Sequence, residues 1–316
     1  MGSIIELPKQ GLAGEYKIAA RKANGSGERL LADWFSNNIT EVGLDNLITD
    51  GWKAYCHVGT GTVAATDTDT ALLTPVASSN ARSNSAVSTL GSTPYYTQAS
   101  IDYQFPVGAG TFTEVGVASG PHDGSYVLFS RALIVDGAGN PTAITTLADE
   151  FLVVTYRLRI YPNLTDETGT IGVGADTHNY TIRAAAVTST RWRNSITNAG
   201  TSFLFAGGSH YLWVLAKSGI LGSVTSEPDG PLGDVSASQQ TYVNGSRQVL
   251  ADALFSFSAV NGAGFIRSLV FYVTRVSNSS RGWGSYQIEF DPPITKDSGI
   301  QLTFTVGMGW GRYVAP

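Results

Sequence analysis

The stretch DEFLVVTYRLRIYP, residues 149–162, decides the fold. Val154, Tyr156, Leu158 and Ile160 alternate with Thr155, Arg157 and Arg159, so apolar and polar side chains fall on opposite faces of an extended chain. A helix would scatter them around its axis. The same period of two stands near the start. In EYKIAAR, residues 15–21, Tyr16, Ile18 and Ala20 share one face while Glu15, Lys17 and Arg21 take the other. NGSG at 24–27 offers a turn with positive φ, and RLLADWFSN at 29–37 reads as the return strand. An N-terminal hairpin is expected.

Working outward, KAYCHV (53–58), YYTQASIDYQFP (95–106), FTEVGVAS (112–119) and SYVLFSRALIV (125–135) read as strands. Turn clusters such as GPHDG (120–124) and DGAGNP (136–141) separate them. The polar, turn-rich PNLTDETGTIGVG at 162–174 marks a boundary, after which strands resume: HNYTIRAAAV (178–187), HYLWVLAK (210–217), FIRSLVFYVTRV (265–276), SYQIEFDPPI (285–294) and IQLTFTVGMGW (300–310). Three segments read differently. EVGLDNLITDG at 41–51 places Leu44, Leu47 and Ile48 at helical spacing, with Gly51 as a stop. RQVLADALFSFS at 247–258 reads as a strand, although 247–254 would also fit a helical turn, and 230–245 fits an edge strand or extended arm. The expected fold is all-β: two antiparallel β-sandwich-like domains, residues 1–165 and 166–316, with at most short helices.

Composition narrows the function. Apolar residues make up 42 % of the 316, enough for a sizeable core, but charged residues only 14 %. Hydroxyls and amides fill the gap, as on surfaces that pack against other subunits or meet carbohydrate. The net charge of −5 and the isolated RWR at 191–193 leave nothing to track a phosphate backbone, so no nucleic-acid partner is expected. Neither a signal peptide nor an apolar run long enough to span a membrane is visible. Cys56 is the only cysteine and reads as a small buried residue.

The segment HVGTGTVAATDTDTALLTP, residues 57–75, looks most like a site. It lacks the lysine of a P-loop. Counted from Asp67, a calcium loop of the EF-hand type would need glycine at Leu72 and glutamate at Ser78. An irregular calcium site using Asp67 and Asp69 stays open beside the plainer reading of solvated side chains. No HExxH or Gly-x-Ser-x-Gly occurs, and GGSHY (207–211) puts Ser209 and His210 on opposite faces of a strand. Asp102, Glu114, Asp149, Glu150 and Glu289 lie on or beside strands, where a catalytic pair would have to meet across a sheet. No catalytic residue or cofactor is assigned. Trp283, between two glycines in NSSRGWGSY (278–286), is the aromatic least suited to a core; with Tyr286 and Tyr242 it is the candidate interface or ligand contact.

Several stretches together resemble structural proteins of tailed-bacteriophage tails, of the fibre, collar or baseplate-associated kind. They are GEYKIAARKANG (14–25), RLLADWFSNNITEVGLDNL (29–47), VGTGT (58–62), TDTALLTP (68–75), FTEVGVASG (112–120), FSRALI (129–134), FLVVTYRLRIYP (151–162) and SYQIEFDPPITKDSGIQLTFTVGMGWGR (285–312). The resemblance implies a non-enzymatic virion protein, made in the host cytoplasm and built into the tail. Its partners would be copies of itself, other tail proteins and a possible host surface glycan. It also implies a folding role for the glycine–threonine segment. Gly59 and Gly61 would let the chain leave the sheet at unusual φ, and Glu114 would accept N–H bonds from the connection that follows. That connection, 59–93, exceeds the usual ~12–15 residues for a loop without structure, so a second surface is expected to support it. Weakly charged strand edges point the same way, to a trimer in a fibre or a ring in a collar or baseplate. Two alternatives remain: a receptor-binding module for cell-surface glycan, and a polysaccharide depolymerase or esterase.

Overall fold

The computed structural model describes residues 4–47, 51–86, 93–189, 191–192, 211–274 and 282–315, and at 83–86, 211, 274 and 282–283 the backbone alone. Within these residues the chain is almost entirely β. The first strands are β1 (Ile4–Lys22), β2 (Glu28–Ser36), β3 (Asn38–Ile39), β4 (Tyr55–Gly59), β5 (Pro75–Ser79), β6 (Arg82–Ala86) and β7 (Thr97–Val107). Then come β8 (Gly110–Phe112), β9 (Glu114–Ala118), β10 (Leu128–Leu133), β11 (Ile144–Thr146), β12 (Glu150–Tyr161) and β13 (Glu167–Val173). The last are β14 (Asp176–Ala184), β15 (Tyr211–Lys217), β16 (Pro231–Gln239), β17 (Gln248–Phe255), β18 (Phe265–Thr274), β19 (Gly282–Thr295) and β20 (Leu302–Arg312).

The opening stretch becomes β12, with Val154, Tyr156, Leu158 and Ile160 buried and the residues between them half-exposed. Burying side chains of this size is worth about 1.5–3 kcal/mol each, so the alternation sets the strand's orientation. β12 lies antiparallel to β1, Tyr16 opposite Tyr156, and β2 returns along the other edge of β1 through a turn in which Gly25 has φ +75°.

Thirteen strands form one large sheet, in the order β13-β14-β19-β18-β15-β16-β17-β20-β1-β12-β7-β6, with β2 beside β1. The sheet curls. Phe290 of β19 and Phe304 of β20 stand well apart in that order, yet their rings stack with centroids 5.9 Å apart. A second sheet, β3-β10-β9-β4-β5, covers the β1–β12–β7 face. Tyr16 Oη lies 2.7 Å from Ser130 Oγ, Tyr103 Oη donates to the Lys53 carbonyl at 2.6 Å, and Phe129 packs 4.2 Å from Trp52.

The boundary expected near 165 falls between β12 and β13 but does not divide the pairing. β1 runs parallel to β20 from Ile4 to Leu12 and antiparallel to β12 from Gly11 to Lys22. One buried cluster holds Tyr16 and Tyr156 together with Phe290 and Phe304.

One local expectation is shortened and another is borne out. The helix expected over 41–51 is α1 (Glu41–Asp45), a single turn N-capped by Thr40, whose side chain accepts from Gly43 N. Residues 247–254 are strand, because Val249, Ala251 and Ala253 face the core while β17 pairs with both β16 and β20.

Candidate functional site

The glycine–threonine segment leaves β4 at Gly59 and crosses a buried ionic knot. Gly59 pairs with Glu114 at the start of β9, and Glu114 is fully buried. A carboxylate there is tolerable only if hydrogen bonds and charge replace water. They do. Oε1 accepts from Gly61 N at 3.0 Å and Thr74 N at 2.7 Å; Oε2 accepts from Leu73 N at 3.0 Å and Arg131 Nε at 2.9 Å. Arg131, from β10, is also buried and reaches Asp69 at 2.7 Å and the Val63 carbonyl at 2.8 Å. Thr113 Oγ1 closes the knot by donating to the Gly61 carbonyl at 2.7 Å.

The two glycines serve space, not φ. Neither has a left-handed φ. A Cβ on Gly59 would lie 2.6 Å from Glu114 Oε1, and one on Gly61 would lie 2.5 Å from the same oxygen and 2.7 Å from Leu73 Cβ. The expectation of unusual φ is corrected to one of close approach. The expectation that 59–93 needs a second surface is corrected as well. Residues 60–74 lie on the protein's own knot, and 75–79 and 82–86 are strands.

Asp67 and Asp69, the calcium candidates, each answer a different arginine. Asp67 pairs with Arg312 at 3.0 Å and Asp69 with Arg131 at 2.7 Å. Burial pushes the Asp69 carboxyl up, but hydrogen bonds from Thr66 and the Arg131 charge outweigh it and hold the group below its ordinary range. Among the described residues no three His, Cys, Asp or Glu side chains converge as a metal site would require. The strand carboxylates likewise meet cations or hydroxyls. Glu150 pairs with Arg29 at 2.7 Å, Glu289 with Arg267 at 3.0 Å and Asp149 with Lys22 at 3.7 Å, and Asp102 accepts from Thr155 Oγ1 at 2.7 Å.

Of the expected aromatic contacts, Tyr286 is corrected. It is fully buried, accepts from Gln10 Nε2 at 3.0 Å and packs edge-on to Trp192 at 5.5 Å. Burial drives its phenol well above the ordinary value, with the Gln10 bond opposing. Tyr242 lies in an internal seam, donating to the Asp45 carbonyl at 3.1 Å and stacking with Trp310 at 6.2 Å. Trp310 Nε1 donates to the Leu44 carbonyl at 2.9 Å, and Arg312 and Arg247 pair with Glu41. Side chains from the last quarter of the chain thus satisfy the open carbonyls at the end of α1. The Trp283 side chain and GGSH at 207–210 lie outside the described residues.

The structure also joins groups that the sequence kept apart. Ser78 Oγ lies 3.0 Å from His122 Nδ1, and the His57 ring is 6.3 Å from His122 and 4.6 Å from Tyr126. Ser78 Oγ also accepts from His122 N at 3.2 Å. A hydrolytic triad needs a third group to orient the imidazole; among the described residues no carboxylate bonds the His122 ring. His57 Nε2 sits 2.7 Å from the Gly120 carbonyl.

A cleft of about 590 Å³ opens where the middle of β1 meets the ends of β12 and β20. Tyr95, Tyr161 and Tyr313 line it with Lys9, Thr165 and Arg312. Tyr161 and Tyr313 stack with centroids 3.7 Å apart and planes 12° from parallel, and Tyr96 leans on Tyr161 at 5.6 Å. No helix among the described residues is long and apolar enough to cross a membrane. Compared with protein-family models, curated proteins and solved structures, the chain finds no match.

Proposed function

We propose that the chain is a non-enzymatic structural component of a bacteriophage virion, carried on the tail in a fibre, collar or baseplate, and that it acts as a homo-oligomer. The ordered motifs named above support the class. The observation that carries the assembly reading is β13. Among the described residues β13 pairs only with β14, so its outer row of N–H and C=O groups has no strand partner. Its sequence, ETGTIGV, has one charge and neither lysine nor proline, the usual means of keeping strand edges apart. A sister chain adding a strand there completes the pairing. In this reading residues 1–165 dock on the particle, and 166–316, as a second sandwich-like unit, join neighbours or extend outward.

Sedimentation velocity on the purified chain tests the assembly. A defined oligomer is expected at micromolar concentration, and a variant carrying both Thr168→Lys and Thr170→Lys, at exposed positions of β13, is expected to be monomeric. A wild-type protein that stays monomeric sinks the proposal. Negative-stain images of particles labelled on this protein test the location: label off the tail removes the virion reading.

A further inference from the structure

We propose that the tyrosine-lined cleft is a binding site for an acidic saccharide, a pyranose ring that carries a carboxylate. Its volume of about 590 Å³ lies inside the range of small-molecule sites, about 300–1,000 Å³. Its walls come from β1, the ends of β12 and β20 with the segments that follow them, and Pro94 and Tyr95 just before β7. Tyr161 is buried in the wall, covered by Tyr313 and Tyr96, while Tyr313 and Tyr95 are half-buried and leave ring surface accessible at the cleft. A sugar ring has a face of C–H groups that matches flat aromatic surface, and hydroxyls that need polar groups at the margin. Thr165 stands there, exposed.

The charge of the lining sets the class of sugar. It holds Lys9 and Arg312 and no aspartate or glutamate. Arg312 is answered by Glu41 at 2.6 Å and Asp67 at 3.0 Å. Lys9 is exposed and forms no ion pair among the described residues; Glu167 feels its charge without pairing with it. A ring seated on the tyrosines with a carboxylate toward Lys9 uses both features. A neutral sugar uses only the first.

Isothermal titration of the purified chain with galacturonic acid, and with galactose as the neutral isostere, tests this, and the readout does not depend on assembly into a particle. Saturable binding of galacturonic acid is expected, several-fold tighter than galactose and weakened by added salt. Tyr313→Ala is expected to weaken both sugars about tenfold. Because Tyr313 packs against Gly11, circular dichroism checks that this variant is folded. Lys9→Gln, on an exposed side chain, is expected to erase the preference for the acid while leaving galactose unchanged. No saturable binding of galacturonic acid, equal affinity for the two sugars, or unchanged affinity in the Lys9 variant overturns the proposal.

Discussion

Glu114→Gln is nearly isosteric and asks whether charge and acceptor count hold the path of residues 60–74. In the wild type each carboxylate oxygen accepts two donors: Gly61 N and Thr74 N on Oε1, Leu73 N and Arg131 Nε on Oε2. A glutamine has one carbonyl oxygen and one NH₂. Whichever way the amide turns, the NH₂ faces two donors and leaves both without an acceptor. Each buried donor so orphaned costs about 1–3 kcal/mol. With the NH₂ toward Arg131, a buried cation loses one partner; breaking such a pair outright costs about 3–5 kcal/mol. Asp69, 2.7 Å from Arg131, keeps the loss below that limit. Two orphaned donors give an expected loss of about 2–6 kcal/mol in either orientation, a large share of the ~5–15 kcal/mol typical of a folded chain. Urea unfolding followed by tryptophan fluorescence measures it, and hydrogen exchange at Gly61, Leu73 and Thr74 shows whether the loss is local. Glu28→Gln, in an exposed pair with Arg21, serves as control and should cost less than about 1 kcal/mol. If Glu114→Gln also costs less than about 1 kcal/mol and the three amides stay protected, the knot does not hold the connection.

Gly61→Ala puts a methyl 2.5 Å from Glu114 Oε1 and should cost about 1–3 kcal/mol in the same unfolding assay, since the obstructing atoms are themselves pinned; a neutral outcome would show that the knot yields. His57 is buried, and burial first, then the neighbouring His122, lowers its affinity for a proton, with the Gly120 carbonyl opposing. Its folded value therefore lies below the ordinary ~6.5, so its contribution to stability is complete above that pH and falls as the pH drops toward the folded value. Unfolding midpoints measured between about pH 7 and pH 5 should decline in the wild type and decline less in His57→Gln; parallel curves would remove His57 as the cause. Tyr286→Phe removes one buried hydrogen bond to Gln10 and should cost about 1 kcal/mol while leaving the sedimentation coefficient unchanged; a shift in assembly would return Tyr286 to an interface.

What the sequence shows of this molecule is what short range determines. Alternation in 149–162 and 15–21 places the right residues inside, and Asn24-Gly25 places the turn of the β1–β2 hairpin. What it hides is long range. Leu44 and Leu47 are both buried, as helical spacing expects, but α1 stops at Asp45, where Trp310 and Tyr242 take its final carbonyls. Residues 162–174 look like a linker because they are polar and rich in turns; nothing local shows that β1 will reach across to β20. Gly284 beside Trp283 reads as open loop, yet a Cβ there would lie 3.0 Å from Gln10 Nε2 and 3.2 Å from both Trp192 and Tyr286, so the glycine marks crowding. Arg131 is the local sign of the knot. An arginine on the inward face of an apolar strand needs a buried carboxylate, and Glu114 opens the neighbouring strand.

The knot also relocates the argument for assembly. Since residues 60–74 are tied to Glu114 and Arg131 inside their own chain, their length makes no demand for a partner. The demand rests on strand edges, and these differ. β3, at one end of the smaller sheet, has two residues and is followed directly by α1. β13, at one end of the large sheet, has seven residues and one charge, and β6 forms that sheet's other end. The pairing chosen dictates the symmetry. β13 against a sister β13 is self-complementary and closes as a two-fold dimer; β13 against a sister β6 is head-to-tail and closes as a ring or runs on as a fibre. Lysines at 168 and 170 break either contact, so the order of the wild-type oligomer decides between them. A collar, baseplate ring or trimeric fibre requires the head-to-tail mode, and a simple two-fold dimer built on β13 would exclude it.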